Sequence, residues 1–148
     1  MNRLLILITF VLLAPSSRSL DAGQYNQVLN IGDKAPAWSE LVGVDDAKHS
    51  LDDLSDKPVV VVVFTCNSCP YAVDVEDRLI ALDAKYSSRG VAVVAINVNK
   101  VEEDLPEAMK EKAKAKGFQF PYLYDESQKI ARDYGAIYTP EFFVLNRQ

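Results

Sequence analysis

Two cysteines, Cys66 and Cys69, are the side chains whose type and spacing most directly suggest chemistry. A thiolate at Cys66 could attack a disulfide, and Cys69 is close enough along the chain to displace the mixed disulfide that forms. Only Asn67 and Ser68 separate the two cysteines. The pair therefore predicts a couple that alternates between dithiol and disulfide and exchanges with the thiols or disulfides of a partner.

The cysteine pair lies between a predicted strand and a predicted helix. Residues 59–64 are five valines and a phenylalanine, which is typical of a central parallel strand buried on both faces. A segment with helical spacing follows Pro70, whose fixed φ suits a first helical turn. Unpaired N–H groups and the helix dipole stabilise a thiolate at a helix N-terminus, so we expect a lowered pKa for the Cys66 thiol.

A metal site and a structural crosslink are the two alternatives for the cysteine pair. Zinc takes about four ligands, but the chain has no further cysteine and a single histidine, His49. A disulfide that closes so short a loop adds little stability. Both alternatives are disfavoured, and we predict neither a metal nor a cofactor. His49 is expected to lie in a loop or a helix cap.

Residues 1–19 have the pattern of a secretory signal peptide. Arg3 precedes an apolar run at residues 4–13, and small and polar residues follow it. Such a run is too short to span a bilayer as a mature helix. We expect cleavage after the signal peptide, then a leader at residues 20–30 and one domain at residues 31–148; an uncleaved anchor is the alternative. This predicts a periplasmic or secreted protein, in a compartment where disulfides persist.

The composition fits one acidic globular domain. Of 148 residues, 49% are hydrophobic and 25% are charged, and the formal net charge is −5, which is ordinary for a domain with a real core. Removal of the signal peptide takes away two arginines and no acid, so the net charge becomes −7. Nucleic acid and anionic membrane surfaces are therefore not expected as partners, and a membrane would be reached only through an uncleaved signal.

The rest of the chain predicts alternating strands and helices. A right-handed crossover would join the first strand to a second buried strand at residues 91–97, parallel to it. Five weaker patterns predict an edge strand within residues 38–44, a helical turn at 51–54 capped by Ser50 and Asp53, a helix from near Asp104 to Gly117, a short helix at 127–134, and a strand at 136–145. Residues 118–124 are predicted to be a loop or short strand with its rings in the core.

Charged residues of two of these helices are predicted to face solvent. In the first helix they are Asp74, Glu76, Asp77, Arg78, Asp83 and Lys85, and in the second they are the lysines within residues 110–116. The prediction follows from helical periodicity, in which apolar positions cover the core and charged positions take the opposite face.

The order of these elements, with Thr139-Pro140 ahead of the last strand, resembles the thioredoxin fold. Four segments resemble the redoxin branch of thioredoxin-like proteins, that of alkyl hydroperoxide reductase and thiol-specific antioxidant: residues 32–36, 64–71, 120–125 and 134–143. The resemblance covers about residues 31–146 and implies an α/β fold with a central mixed sheet flanked by helices. Because that fold normally continues with one more strand and helix, we expect a C-terminal truncation that leaves residues 142–145 as an exposed sheet edge.

The resemblance also implies roles for individual residues. Cys66 matches the nucleophilic cysteine, Cys69 the resolving cysteine, and Pro140 the cis-proline whose loop lies beside the sulfurs. A cis bond there would let the backbone of Thr139 face an extended partner chain, so Thr139 and Pro140 are the predicted substrate-binding residues. The residues expected to support the motif are Asn67, Ser68 and Pro70.

Three departures from the family pattern narrow the function. The Pro-x-x-x-Thr-x-x-Cys pattern of peroxidase members precedes neither cysteine, which disfavours a thiol peroxidase. Residues 59–63 lack the buried acid that many thioredoxins place there, so the base for the resolving cysteine stays open between Glu141 and water. Ser68 stands where close relatives often carry a histidine, which favours a reductant over an oxidant.

The sequence thus predicts an exported thiol–disulfide oxidoreductase that acts on a protein or small molecule carrying a thiol or disulfide. A reductant would need an electron donor that the sequence does not identify, as in the thioredoxin-like reductases of cytochrome c maturation. A binding module without enzymatic activity, which holds a protein partner or Cu(I) through its two thiolates, is the alternative. Copper chaperones of related fold usually place three residues between their cysteines and add a distal histidine, and this chain has no histidine after His49.

Overall fold

A computed structural model describes residues 26–146 of the chain. The predicted signal peptide, residues 20–25 of the predicted leader and residues 147–148 lie outside the described residues. The helices are α1 (Pro70–Tyr86), α2 (Pro106–Lys116) and α3 (Lys129–Tyr134). The strands are β1 (Leu41–Gly43), β2 (Lys48–His49), β3 (Val59–Thr65), β4 (Val91–Asn97), β5 (Tyr122–Tyr124) and β6 (Glu141–Asn146).

The strands of this part of the chain form one mixed sheet, in the order β2-β1-β5-β4-β3-β6. β3 pairs with β4 in parallel along its whole length and with β6 in the antiparallel direction. The parallel arrangement predicted for the two buried strands is therefore confirmed. Strand β6 occupies an edge of the described sheet, and the exposed side chains of this strand include Phe142 and Val144.

The valine run lies inside the sheet because apolar side chains cover both of its faces. Successive side chains of a strand point to opposite faces. The even-numbered residues of 60–64 join an apolar cluster with α3, and the odd-numbered ones join a second cluster with α1 and α2. On the α3 side the rings of Phe64, Tyr134 and Phe143 meet edge to face, with centroids 5.2 to 5.7 Å apart. The sheet is thus flanked by helices on both faces, as an α/β fold requires.

The segment before β3 agrees with expectation in its helical turn but not in its strand. Leu51–Leu54 forms a 3-10 helix, and the Ser50 N–H donates to the Asp53 carboxylate at 2.7 Å, which confirms the capped turn. The strand predicted within residues 38–44 was expected at the edge, and this is wrong. Strand β1 lies between β2 and β5, because the chain turns back after β1 and adds β2 outside it.

Residues 118–124, predicted to be a loop or short strand with buried rings, and the end of the predicted leader both contribute to the packed domain. Residues 118–124 include β5, an interior strand whose Tyr122 and Leu123 are buried. At the other end of the described chain, Asn26 Nδ2 donates to the Tyr134 carbonyl at 2.8 Å, so the last residues of the predicted leader contact α3. No helix within residues 26–146 is both long enough and apolar enough to cross a membrane.

Candidate active site

Two loops meet at one end of the sheet. The cysteine loop, from Cys66 to Cys69, connects the carboxyl end of β3 to the first turn of α1, and the Thr139–Pro140 peptide bond ahead of β6 is cis. Because β6 runs antiparallel to β3, the start of β6 lies beside the end of β3. The Cys69 thiol donates to the Thr139 carbonyl at 3.3 Å, and the Cys66 sulfur lies 3.5 Å from the Thr139 hydroxyl. The structure therefore brings together the residues predicted for catalysis and substrate binding.

The two cysteines, both free thiols, have different surroundings. Cys66 has 2% of its surface exposed, whereas Cys69 is half-buried. Helix α1 begins at Pro70, so Cys69 is its N-cap residue, with extended backbone angles. The expectation that Cys66 lies at the helix N-terminus is wrong, because the loop between the cysteines is not helical.

Cys69 is the thiol with the lowered pKa that the helix position was expected to produce. The backbone N–H of Ala72 is the main group that lowers the pKa of the Cys69 thiol. Smaller decreases come from hydrogen bonds with Thr139, Tyr71 and Cys66, and together these outweigh the increase that burial causes. The Cys69 thiolate therefore forms at a lower pH than the thiolate of an ordinary cysteine, and the thiolate is the reactive species.

A fully buried carboxylate, that of Asp104, holds the loop between the cysteines. It accepts hydrogen bonds from the backbone N–H groups of Asn67 and Ser68, from the Ser68 hydroxyl at 2.6 Å and from Asn99 Nδ2 at 3.0 Å. Sequence analysis identified Asp104 only as the start of a helix. Loop N–H groups that lack a strand or helix partner need an acceptor, but the sequence does not say which of the acids provides it.

A second polar cluster lies beneath the same loop. Glu76, with 4% of its surface exposed, forms an ion pair with Lys112, and Lys112 Nζ donates to the Asn67 carbonyl at 3.1 Å. The Tyr122 hydroxyl donates to Asn67 Oδ1 at 2.9 Å. Burial raises the pKa of Tyr122 well above its usual range, so the hydroxyl keeps its proton. The prediction that Glu76 and Lys112 face solvent is wrong, because α1 and α2 both pack on this face of the sheet.

Glu141, a candidate base in the sequence analysis, is bound by the proline loop. Its carboxylate accepts hydrogen bonds from the N–H groups of Ile137 and Tyr138, at 2.9 and 3.2 Å. These two side chains are 72% and 73% exposed, and that of Tyr71, two residues after Cys69, is 77% exposed. Tyr71, Ile137 and Tyr138 form an apolar rim on the segments that flank the half-buried thiol, a feature that the sequence analysis missed.

Metal ligands do not gather in the described part of the chain. Residues 26–146 contain no group of three or more His, Cys, Asp or Glu side chains that could hold a metal ion. His49 lies in β2 at the opposite edge of the sheet from β6, rather than in a loop, and its Nε2 is 3.0 Å from the Asp45 carboxylate. The chemistry that the site offers is that of two neighbouring thiols.

Several solved structures are similar to this chain. An uncharacterized conserved protein from Geobacillus kaustophilus is 41% identical, with a TM-score of 0.75 and coverage of 78% of this chain and 63% of that one. A putative thiol:disulfide interchange protein DsbE from Chlorobium tepidum is 26% identical, with a TM-score of 0.67 and coverage of 77% and 76%. The thioredoxin domain of a thiol-disulfide oxidoreductase from Bacteroides vulgatus is 17% identical and shares the fold, with a TM-score of 0.67 and coverage of 78% and 80%.

The matches define a family and a fold. The chain spans 63% of the length of the Geobacillus protein, and no curated protein matches it. The mixed sheet flanked by helices is thioredoxin-like, as the sequence analysis predicted. A family model matches residues 31–148, and the chain accordingly belongs to the AhpC/TSA family.

Proposed function

We propose that this protein is an exported thiol–disulfide oxidoreductase in which Cys66 and Cys69 cycle between a dithiol and a disulfide. The observation that carries the proposal is the position of both free thiols against Thr139, at 3.5 and 3.3 Å, beside a cis-proline. Both sulfurs contact the same residue, Thr139, so the two thiols lie close to each other. The similarity to a putative thiol:disulfide interchange protein supports the same type of activity.

The proposed reaction transfers two electrons to a partner's disulfide. One cysteine thiolate attacks a sulfur of that disulfide, and the partner's other sulfur leaves as a thiolate and takes up a proton. The second cysteine loses its proton and attacks the mixed disulfide. The partner then leaves with both sulfurs reduced, while the enzyme keeps an intramolecular disulfide. An electron donor of the thiol type must reduce that disulfide before the next cycle.

The proline loop is the proposed binding surface for the partner. The backbone of Thr139 and Pro140 would align an extended chain beside the sulfurs, as in the addition of a strand to a sheet. The apolar rim would contact side chains that neighbour the partner's cysteine. A protein disulfide would use both surfaces, whereas a small thiol would use only the sulfurs and the backbone beside them.

The reducing direction is the one we propose. Ser68 places a hydroxyl, bonded to Asp104, where a histidine could stabilise a thiolate. A less stable thiolate favours the disulfide form and makes the couple more reducing. The lowered pKa of Cys69 instead stabilises a thiolate, which would make the couple more oxidising. The midpoint potential therefore decides between a reductant and an oxidant.

The test is the midpoint potential of the couple, measured by thiol alkylation after equilibration in graded redox buffers. We expect a value of roughly −250 mV or below, in the range of thioredoxin. A value between roughly −120 and −180 mV would reverse the proposed direction. A variant with both cysteines changed to serine is the control and should show no redox-dependent alkylation. Failure of the wild type to cycle would refute the activity, and retention of Cu(I) after dialysis would then support the binding module.

A further inference from the structure

We infer that Asp104 and Tyr122 are positioning residues, which hold the two residues between the cysteines and thereby favour the disulfide form of the couple. The inference rests on the proposed function and adds to it the groups that set the balance between dithiol and disulfide. The hydrogen bonds that support it end on Asn67 and Ser68 and not on a sulfur. Both residues therefore act on the couple through the cysteine loop.

The segment between the cysteines has no regular structure of its own. Strand β3 ends at Thr65 and helix α1 begins at Pro70, so the N–H groups of Asn67 and Ser68 belong to neither a strand ladder nor a helix. Such groups need acceptors from elsewhere, and a segment without them would be free to adopt many conformations. The conformation of the loop is therefore set by groups that other elements supply.

Every polar group of Asn67 has a partner. Its N–H donates to the Asp104 carboxylate, and its carbonyl accepts from Lys112 Nζ at 3.1 Å. In its side chain, Oδ1 accepts from the Tyr122 hydroxyl at 2.9 Å and Nδ2 donates to the Glu103 carbonyl at 2.8 Å. These partners lie on the 3-10 turn ahead of α2, on α2 itself and on β5. A change in the conformation of Asn67 would therefore break hydrogen bonds to three separate parts of the fold.

Asp104 ties the loop to the sheet. Its fully buried carboxylate also accepts from the N–H of Ser68 at 2.9 Å and from the Ser68 hydroxyl at 2.6 Å. The Asp104 carbonyl accepts from Nδ2 of Asn97, the buried last residue of β4, at 2.8 Å. Because β4 is paired on both sides, with β3 and β5, it gives Asp104 a fixed position. The two N–H groups of the loop thus converge on one immobile acceptor.

A held loop favours the disulfide because it lowers the entropic cost of closing the ring. A disulfide needs its two Cβ atoms to lie about 3.5–4.5 Å apart, which restricts the residues between them. A free loop would give up conformational entropy on oxidation, whereas a loop that is already held gives up less. Loss of these contacts therefore stabilises the dithiol relative to the disulfide and raises the midpoint potential. A purely structural loss of stability would weaken both redox forms equally and leave the potential unchanged.

The test is the redox equilibrium of the full chain with glutathione, measured by thiol alkylation. In this exchange the dithiol gives two electrons and two protons to glutathione disulfide, and one intramolecular disulfide and two glutathione thiols form. We expect Asp104→Ala, which removes the acceptor of both N–H groups, to lower the equilibrium constant about tenfold, which raises the potential by about 30 mV. Asp104→Asn keeps an oxygen for both N–H groups and should lower the constant less than about threefold. Glu102→Gln, at an exposed acid of the same turn, is the control and should change it less than about twofold.

Two results for Asp104 would overturn the inference. One is an equilibrium constant for Asp104→Ala that equals the value of the wild type, and the other is an equal shift for Asp104→Ala and Asp104→Asn. A wild type that forms no disulfide at any ratio of oxidised to reduced glutathione would instead refute the proposed function, and the inference would fall with it. The two failures are distinguishable, because only the first occurs in a protein that cycles.

Tyr122→Phe gives a second test that does not depend on the folding of Asp104→Ala. It removes one donor to Asn67 and should lower the equilibrium constant about threefold. In an Asn67→Ala background, where the acceptor is absent, the same substitution should change the constant less than about twofold. An unchanged constant in the wild-type background, or an effect of equal size in both backgrounds, would overturn the inference that Tyr122 acts through the loop.

Discussion

Replacing Asp104 by asparagine should destabilise the protein even though the side chain keeps its size. The carboxylate is fully buried and accepts four hydrogen bonds, two of them from the backbone of the cysteine loop. Asparagine can retain the two backbone contacts through its oxygen. Its NH2 group, however, would face Asn99 Nδ2, which is also a donor and would lose its acceptor.

The size of the effect follows from the change in these contacts. Hydrogen bonds to a charged group contribute about 1.5–3 kcal/mol each, whereas neutral ones contribute about 0.5–1.5 kcal/mol. A buried donor left without a partner costs about 1–3 kcal/mol. Allowing for partial rearrangement around Asn99, we expect Asp104→Asn to lower the free energy of unfolding by about 2–4 kcal/mol. Asp104→Ala should lower it further, because both loop N–H groups then lose their acceptor.

Urea unfolding of the reduced protein measures this change. Trp38 is the single tryptophan of the chain and is 4% exposed, so its fluorescence reports unfolding. With a urea dependence of about 2 kcal/mol per molar, the midpoint should fall by about 1–2 M. Glu102→Gln is the matched control, because Glu102 is an exposed acid in the same 3-10 turn. Equal midpoints for Asp104→Asn and Glu102→Gln would refute the role of Asp104 in holding the loop.

Three further predictions concern the surroundings of the loop. Glu76→Gln should lower the free energy of unfolding by about 2–3 kcal/mol, because it breaks the buried ion pair with Lys112. Asp77→Asn is the control; its side chain is 84% exposed, so it should lower the free energy of unfolding by less than about 1 kcal/mol. Equal losses for the two variants in urea unfolding would contradict the burial argument. Tyr122→Phe should cost about 1–2 kcal/mol, since Asn67 loses a buried donor; an unchanged midpoint would argue against that bond. Because the pKa of Cys69 is lowered in the folded protein, its alkylation rate should reach half its maximum at a lower pH than in the urea-unfolded chain; coincident pH profiles would contradict the helix N-terminal effect.

Much of the fold could be predicted because the relevant signals are local. Residues 59–64 are all apolar, so a strand formed by them has two apolar faces. Such a strand is expected in the interior of a sheet that is covered on both sides. Ser50 and Asp53 sit three residues apart, which is the spacing that a capped first turn needs. The two cysteines likewise had to follow this strand and precede a helix, whatever the rest of the chain did.

The surroundings of the site could not be predicted in the same way. Periodicity assigned Glu76 to a solvated face because a charged residue is usually exposed, but its partner Lys112 lies on another helix. Asp104 meets the cysteine loop 36 and 37 positions away along the chain. Such pairs form only when the elements that carry them pack together. A local sequence pattern does not show which distant residues will come into contact.

By itself, the sequence determined the kind of chemistry and the elements that carry it: two thiols between a buried strand and a helix, and a proline loop ahead of a later strand. Only the tertiary structure decided how the two thiols differ. The start of the first helical turn decides which cysteine is the N-cap residue of α1. The antiparallel pairing of β6 with β3 places Thr139 against both sulfurs and so affects how exposed each of them is. The exposure of each sulfur and the stability of its thiolate depend on groups that are distant in sequence and on where the helix begins. Both properties therefore follow from tertiary packing and not from the spacing of the cysteines along the chain.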